Sequence, residues 1–336
     1  MNKQQIIEKQ KTKNEDIEII WLQGENVSGY KSIEDVGDNF IVKETGSVNH
    51  LFCINQSQHF IIVTDGDILI GGKQNRSPKY SFIVAPGEEV EVPVFCIEKN
   101  RWSYGFERIS DSDRSLRWYI RDVRERLHRI ERILLENRHF IREELYRLSR
   151  EFQRIADELR EAYELNQIRR VKRSNEMFGR HEMKMTYMTR MAKVYDDQDT
   201  VWRTIDEELS KFNKRNRTSD FSKLFEGFKE ENIEVPENAT GFIITWHSIP
   251  VIYESINNHD VFKQYASKLI NAYLLNPFPP RREISLEEFI KEIESFNTEN
   301  KELVFQLNKN KFYQTNSYKL LKYPDFGNVH FLYINN

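Results

Sequence analysis

Two kinds of periodicity divide the chain. Between residues 15 and 110, apolar residues come in short β-branched or aromatic runs: IEIIWLQG, NFIVKET, HLFCINQ, FIIVTDGDILIGG, YSFIVAPGEEVEVPVFCI and WSYGFERI. Gly, Asn, Asp, Ser and Pro punctuate them, the pattern of short strands joined by turns. Asp65-Gly66 lies between FIIVT and DILIG and predicts a type I′ hairpin, since both central positions of that turn need positive φ. Pro86-Gly87 predicts a second turn. This density of strands points to a sandwich or barrel-like unit.

From Ser112 the period changes. Leu116, Ile120, Val123, Leu127, Ile130 and Leu134 recur at alternating spacings of four and three, and after a shift near Asn137 the pattern resumes at Ile141, Leu145, Leu148, Phe152, Ile155 and Leu159. This is a heptad seam with a stutter, and it predicts a long coiled-coil-like helix or two helices bent near 137–139. Such a helix cannot bury its own seam, so residues 112–168 are expected to fold back on themselves, pair with a second copy or dock a partner protein. Residues 171–197 form a basic, Met-rich connector with poor periodicity, read as a loop or an irregular helix.

The C-terminal third is mixed. DQDTVWRTIDEELSKF predicts a helix with Val201, Trp202, Ile205 and Leu209 on one face, and FSKLFEGFKEENI a further short one. GFIITW and VIYESI flank the turn HSIP, and NNHDVFKQYASKLINAYLL predicts an amphipathic helix. Ser285 to Glu288 reads as a capping box opening another helix. KELVFQLN, KFYQTN, YKLLKY and VHFLYIN read as closing strands. The expected fold is α+β. A flexible N-terminus (1–14) precedes a mainly antiparallel β-domain (15–111), which packs with a C-terminal α+β portion (198–336); the long helical insertion (112–170) and the connector interrupt them.

Composition adds little at first. The 336 residues carry a net charge of −3, and 39% are hydrophobic. That gives no global case for nucleic acid or a membrane surface. The distribution is uneven: residues 112–173 hold 16 Arg and one Lys against 12 Asp and Glu. Acids interleave at helical spacing, as in Glu125/Arg129 and Glu151/Arg154, the pattern of a solvated salt-bridged face. The more basic stretch 169–193 is the better candidate for nucleic acid, although its methionines equally suit adaptable packing. Cys53 and Cys96 read as buried free thiols. No apolar run approaches the roughly 18–20 residues that span a bilayer, and the N-terminus lacks the apolar core of a signal peptide; the expected location is cytoplasmic.

Candidate chemistry concentrates at GGKQNR, residues 71–76. Glycines permit close backbone approach, Lys73 and Arg76 offer cationic donors, and Gln74 and Asn75 offer amide donors and acceptors. The loop is not a P-loop, and GxGxxG is absent. It suits an anionic ligand, a solvated hairpin tip or β-bulge, or a buried hydrogen-bond network. In VFCIEKNRW, alternation puts Glu98 on the face of Cys96; Glu98 is a candidate general base or an ion-pair partner of Arg101 or Arg76. Trp102 reads as a stacking surface or as core. HExxH is absent, His181-Glu182 has no second His at helical spacing, and no Ser/His/Asp or Cys/His set is evident. No metal ligands are assigned and the cofactor is left unknown.

DILIGGKQNR, VEVPVFCIEKNRW, DDQDTVWRTIDEEL and the GFIITW to NAYLL block, in this order and spacing, resemble the ARPP family, named for its association with ADP-ribosylglycohydrolases and the rhodanese-phosphatase superfamily. The resemblance covers roughly 40–110, 195–210 and 240–275. Its GxKQNR element falls on Gly71, Lys73, Gln74, Asn75 and Arg76; its PVxCxExxRW element on Pro93, Val94, Cys96, Glu98, Arg101 and Trp102; its QxxVW element on Gln198 and Trp202. The long Arg-rich stretch and the basic Met-rich connector depart from the family pattern. The family's associations imply a link to ADP-ribose or NAD metabolism, or to prokaryotic defence systems using those molecules. The expectation is an ADP-ribose-like or nucleotide-like anion held by Lys73, Gln74, Asn75, Arg76, Arg101, Trp102, Gln198 and Trp202.

Overall fold

The structure is a computed structural model that describes residues 3–99, 179–180, 183–192, 197–299 and 301–335. The long heptad stretch (112–168), Arg101 and Trp102 lie outside the described residues, so the coiled-coil and partner expectations carry no structural account here.

The described residues form a mainly antiparallel β-structure with a few helices, the α+β class expected. Strands are numbered in chain order. The largest sheet runs β1 (Gln5–Lys11), β2 (Ile17–Gln23), β12 (Gly241–Trp246), β13 (Ile249–Ile256), β17 (Gly327–Ile334), β16 (Tyr318–Tyr323), β15 (Asn310–Gln314) and β14 (Phe305–Leu307), antiparallel throughout. A six-stranded antiparallel sheet runs β11 (Gly179–Arg180), β7 (Leu69–Ile70), β8 (Arg76–Pro78), β10 (Glu89–Cys96), β5 (His50–Asn55) and β4 (Phe40–Glu44). A small third sheet joins β3 (Tyr30–Ser32), β6 (Phe60–Val63) and β9 (Phe82–Val84), with β3 and β6 parallel. The helices are α1 (Ile33–Val36), α2 (Tyr187–Ala192), α3 (Gln198–Lys211), α4 (His259–Leu275) and α5 (Leu286–Glu294).

The sheet assignments revise the sequence reading in three places. Residues 5–11, expected within a flexible start, form strand β1, and β2 hydrogen-bonds to β12. The start of the chain is therefore built into the C-terminal sheet. The Asp65-Gly66 turn does not close a hairpin: β6 pairs with β3 and β9, whereas β7 pairs with β8 and β11. Gly66 is not among the positive-φ residues, so its lack of a side chain serves another purpose, described below. FSKLFEGFKEENI yields only a 3₁₀ turn, Phe221–Phe225, capped by the Asp220 carboxylate on the Ser222 N–H; Gly227, at φ 78°, turns the chain away soon after.

Other signals hold as read. The β12–β13 hairpin closes through His247 and Ser248, both at positive φ, as a two-residue turn of this type requires. Ser285 with Glu288 forms the capping box of α5; Asn258, not singled out in the sequence, caps α4. Cys53 and Cys96 are free and buried. No helix among the described residues is long and apolar enough to cross a membrane.

Burial follows from the strand patterns. In β2, Ile17, Ile19 and Trp21 join the cluster under α4, and Ile20 and Leu22 join the cluster under α5. Both faces are covered, which is why IEIIWLQ is apolar nearly throughout. The six- and three-stranded sheets face each other across Leu51, Cys53, Val92 and Val94 on one side and Ile61, Val63, Phe82 and Val84 on the other. Helix α3 and the 3₁₀ turn pack on the end of β10 through Val201, Ile205, Phe221, Phe95 and Ile97.

Trp21 joins sheet to helix: its ring meets Phe242 and Phe262 edge-on, each at 6.3 Å. Trp21→Ala should cost about 3–5 kcal/mol through lost burial and the cavity left behind. Urea denaturation should show this as a lower midpoint; a loss below about 1 kcal/mol would contradict the packing described.

Candidate functional site

The six-residue motif occupies the loop between β7 and β8. Gly71 and Gly72 take positive φ, 129° and 56°, so the loop needs glycine at both. It is closed from within by the Gly71 N–H, which donates to Asn75 Oδ1 (3.1 Å), and tied to β4 by the Lys73 N–H, which donates to Glu44 Oε1 (2.8 Å). Arg76 then enters β8 opposite Cys96. Gln74, Asn75 and Arg76 are buried and Lys73 is half-buried. A solvated hairpin tip is therefore excluded for this loop.

These side chains converge on the segment that follows β10. Gln74 Nε2 donates to the Glu98 carbonyl (2.9 Å), and Arg76 Nη1 donates to Gln74 Oε1 (3.0 Å). The Asn75 N–H donates to Glu98 Oε2 (3.2 Å), while Asn75 Nδ2 donates to Asp220 Oδ1 (3.0 Å). Glu98 and Asp220 also face each other in an isolated β-bridge. Asn75 thus holds two buried carboxylates from positions far apart in the chain. The third element arrives on α3. Gln198 accepts from the Cys96 N–H and donates to the Cys96 carbonyl, each at 2.8 Å, so it extends the sheet like a short strand. Trp202, one turn on, is half-buried, and the exposed Lys99 ammonium stands 5.4 Å from its ring centre. Burial pushes the Cys96 thiol up against the lowering pull of Arg76, so it is not an activated thiolate.

A model of the ARG and Rhodanese-Phosphatase-superfamily-associated Protein domain, ARPP-1, matches residues 17–320. The chain belongs to the ARPP-1 family. Comparisons with curated proteins and with solved structures return no match. The three elements through which the sequence resembles ARPP-1, at 71–76, 93–102 and 198–202, meet in this place as far as they are described; Arg101 and Trp102 fall outside the described residues.

A second polar centre in the ARPP-1 fold was not anticipated. Arg190, from α2, is wholly buried and donates to both oxygens of Glu254 on β13 (2.6 and 3.1 Å) and to Asp65 Oδ1 (3.0 Å). Lys319 on β16 donates to Asp65 Oδ2 (2.8 Å), and Tyr187 donates to Glu254. His330 Nε2 lies 2.8 Å from Glu254 Oε1, and its Nδ1 lies 2.8 Å from the Ser81 hydroxyl. A proton on Nε2 would make Ser81 the donor to Nδ1. A Cβ on Gly66 would stand 3.2 Å from Arg190 Nε, which explains the glycine. Nearby, Lys184 pairs with Asp67 and donates to Thr64 (3.0 Å). The described cations of the 169–193 stretch with placed side chains, Lys184 and Arg190, are therefore inside the protein and unavailable to a nucleic-acid backbone.

Ser81, His330 and Glu254 have the order of a nucleophile relay, but the Ser81 oxygen is buried and accepts the Asp65 N–H (3.0 Å). It is tied into the ion network and does not face a substrate. Among the described residues no group of three or more His, Cys, Asp and Glu is arranged to hold a metal. The sequence did hold a signal for the network: Glu254, Lys319 and His330 are charged or titratable residues inside the largely apolar runs VIYESI, YKLLKY and VHFLYI. A charge in a buried strand needs a partner.

Burial would raise the Glu254 carboxyl, but the Arg190 charge and the hydrogen bonds from His330 and Arg190 outweigh it and hold the group at about 2. An unfolded glutamate titrates near about 4.3. The stabilisation is therefore present above pH ~4.3 and lost as pH falls towards ~2. Glu254→Gln should flatten the acid dependence of stability across that window. At pH 7 it should also cost about 3–5 kcal/mol, because Arg190 is left under-compensated. Urea melts at several pH values test this; parallel curves for wild type and variant would refute it.

Proposed function

We propose that this protein binds an ADP-ribose-like or other nucleotide-like anion beside the 71–76 loop. The observation that carries the reading is the convergence of three separate segments there, each bringing a group suited to one part of such a ligand. Lys73 and Lys99 supply cations for phosphate. The Trp202 ring supplies an aromatic face for a planar base. Gln74, Asn75 and Arg76 act from beneath: their hydrogen bonds to one another and to residues 98–99 fix the backbone that presents the two lysines. Gln198 locks α3, and with it Trp202, to β10. Glu98, oriented by the Asn75 N–H, is the carboxylate this reading assigns as general base should the bound molecule be turned over. The link to ADP-ribose or NAD metabolism, or to defence systems using those molecules, that the family's name implies favours this ligand class.

Thermal-shift and calorimetric titration with ADP-ribose, NAD and nucleoside phosphates tests the reading. At a ligand concentration about 100 times Kd, binding should stabilise the fold by about 2.7 kcal/mol, a rise in Tm of several degrees. Lys73→Ala and Trp202→Leu, which leave the buried hydrogen bonds of Gln74, Asn75 and Arg76 in place, should each remove most of the shift. A wild type indifferent to the whole panel, or variants that respond as wild type does, would overturn it.

A further inference from the structure

Helix α5 lies over one face of the eight-stranded sheet and is capped at its C-terminal end by Ser295. Past that end a cavity of about 310 Å³ opens, lined by Ser295, Phe296, Asn297, Thr298, Lys322 and Asn328. Its volume is at the lower end of the range for small-ligand sites, about 300–1,000 Å³. Lys322 and Asn328 are direct partners across β16 and β17, just where the register shifts. Such a bulge re-aims side chains and is over-represented beside functional sites.

Three observations describe what would fill this cavity. Asn328 Oδ1 is buried and finds no hydrogen-bond donor among the described residues. Leaving such a group unsatisfied is unfavourable, and a ligand hydroxyl would satisfy it. Lys322 donates to the Thr298 hydroxyl (2.9 Å), a neutral partner, and Lys311 stands directly opposite it on β15. Directly opposed residues share a face, and like charges there repel unless an anion lies between them. Lys301 adds a third ammonium, 5.6 Å from the Phe296 ring centre and 5.8 Å from that of Tyr318. The Ser295 and Thr298 hydroxyls complete a lining that holds one cation, Lys322, two hydroxyls and one unsatisfied acceptor, with Lys301 and Lys311 outside it.

We propose that this cavity is a binding site for a small hydroxylated phosphate, of the sugar-phosphate class. Lys322, with Lys301 and Lys311 beside it, neutralises the phosphate, and Asn328 Oδ1 accepts from a sugar hydroxyl. The site shares no residue with the 71–76 loop, so its fate is separable from that of the function proposed above.

Ribose 5-phosphate, ribose and inorganic phosphate are the probes, titrated into the full chain by calorimetry and saturation-transfer NMR. Ribose 5-phosphate should bind saturably and about tenfold more tightly than either fragment. Lys322→Ala should weaken it about tenfold. Asn328→Ala should weaken ribose 5-phosphate and leave inorganic phosphate unchanged. Lys301→Ala, at an exposed side chain, supplies a variant whose folding is not at stake and should weaken both phosphates. Trp202→Leu should leave all three titrations unchanged. Absence of saturable binding to wild type, equal binding of ribose 5-phosphate and inorganic phosphate, or indifference to all three cavity variants would overturn the proposal.

Discussion

The buried contact of Arg190 with Glu254 and Asp65 is the constraint around which the described parts are arranged. A guanidinium removed from water must be met by carboxylates placed to within a few tenths of an ångström, or the desolvation is not recovered. Here the acids come from the turn after β6 and from β13, the second cation from β16, the histidine from β17 and the arginine from α2. A slip of one residue in any of these strands would send its charged group to the opposite face. The network therefore selects one register in several places at once, which apolar packing alone does less sharply.

The 71–76 loop obeys the same logic with neutral groups. Amides of Gln74, Asn75 and Gln198 satisfy backbone and carboxylate groups that would otherwise be orphaned where β10 runs out of partners. Local hydrogen bonds of this kind leave little freedom in the backbone, so surface residues attached to it, Lys73 and Lys99, are displayed from a stiff support. A motif can thus be buried and still serve a surface: its interior side chains fix the loop and its rim meets the solvent.

The sequence made most strands legible because half- and fully buried strands carry their own period, and it made the start of α5 legible because the capping box of Ser285 and Glu288 is a local act. It did not make strand partners legible. FIIVT and DILIG are adjacent and joined by Asp-Gly, yet they belong to different sheets; Gly66 is not at positive φ, and a Cβ there would stand tightly against Arg190. β1 was missed because a polar edge strand, covered on neither face, has no apolar period to read. The Lys73–Arg76, Glu98, Gln198 and Trp202 set was legible as polar or aromatic residues in unusual places and through the family resemblance. Asp220 and the pairings of the Arg190 network were not, since the partners are joined by folding across 64 to 254 positions.

The chain leaves the six-stranded sheet beyond β10 and rejoins it at β11, and these two strands are three places apart in that sheet. At about 4.8 Å per strand the gap is roughly 14 Å, a span that five or six extended residues can bridge. The length of a connection at this position is uncoupled from the register of every strand described, and because loop-closure entropy grows only slowly with length, the fold sets almost no thermodynamic limit on it. One scaffold can carry branches of very different size at this position and keep the same sheet.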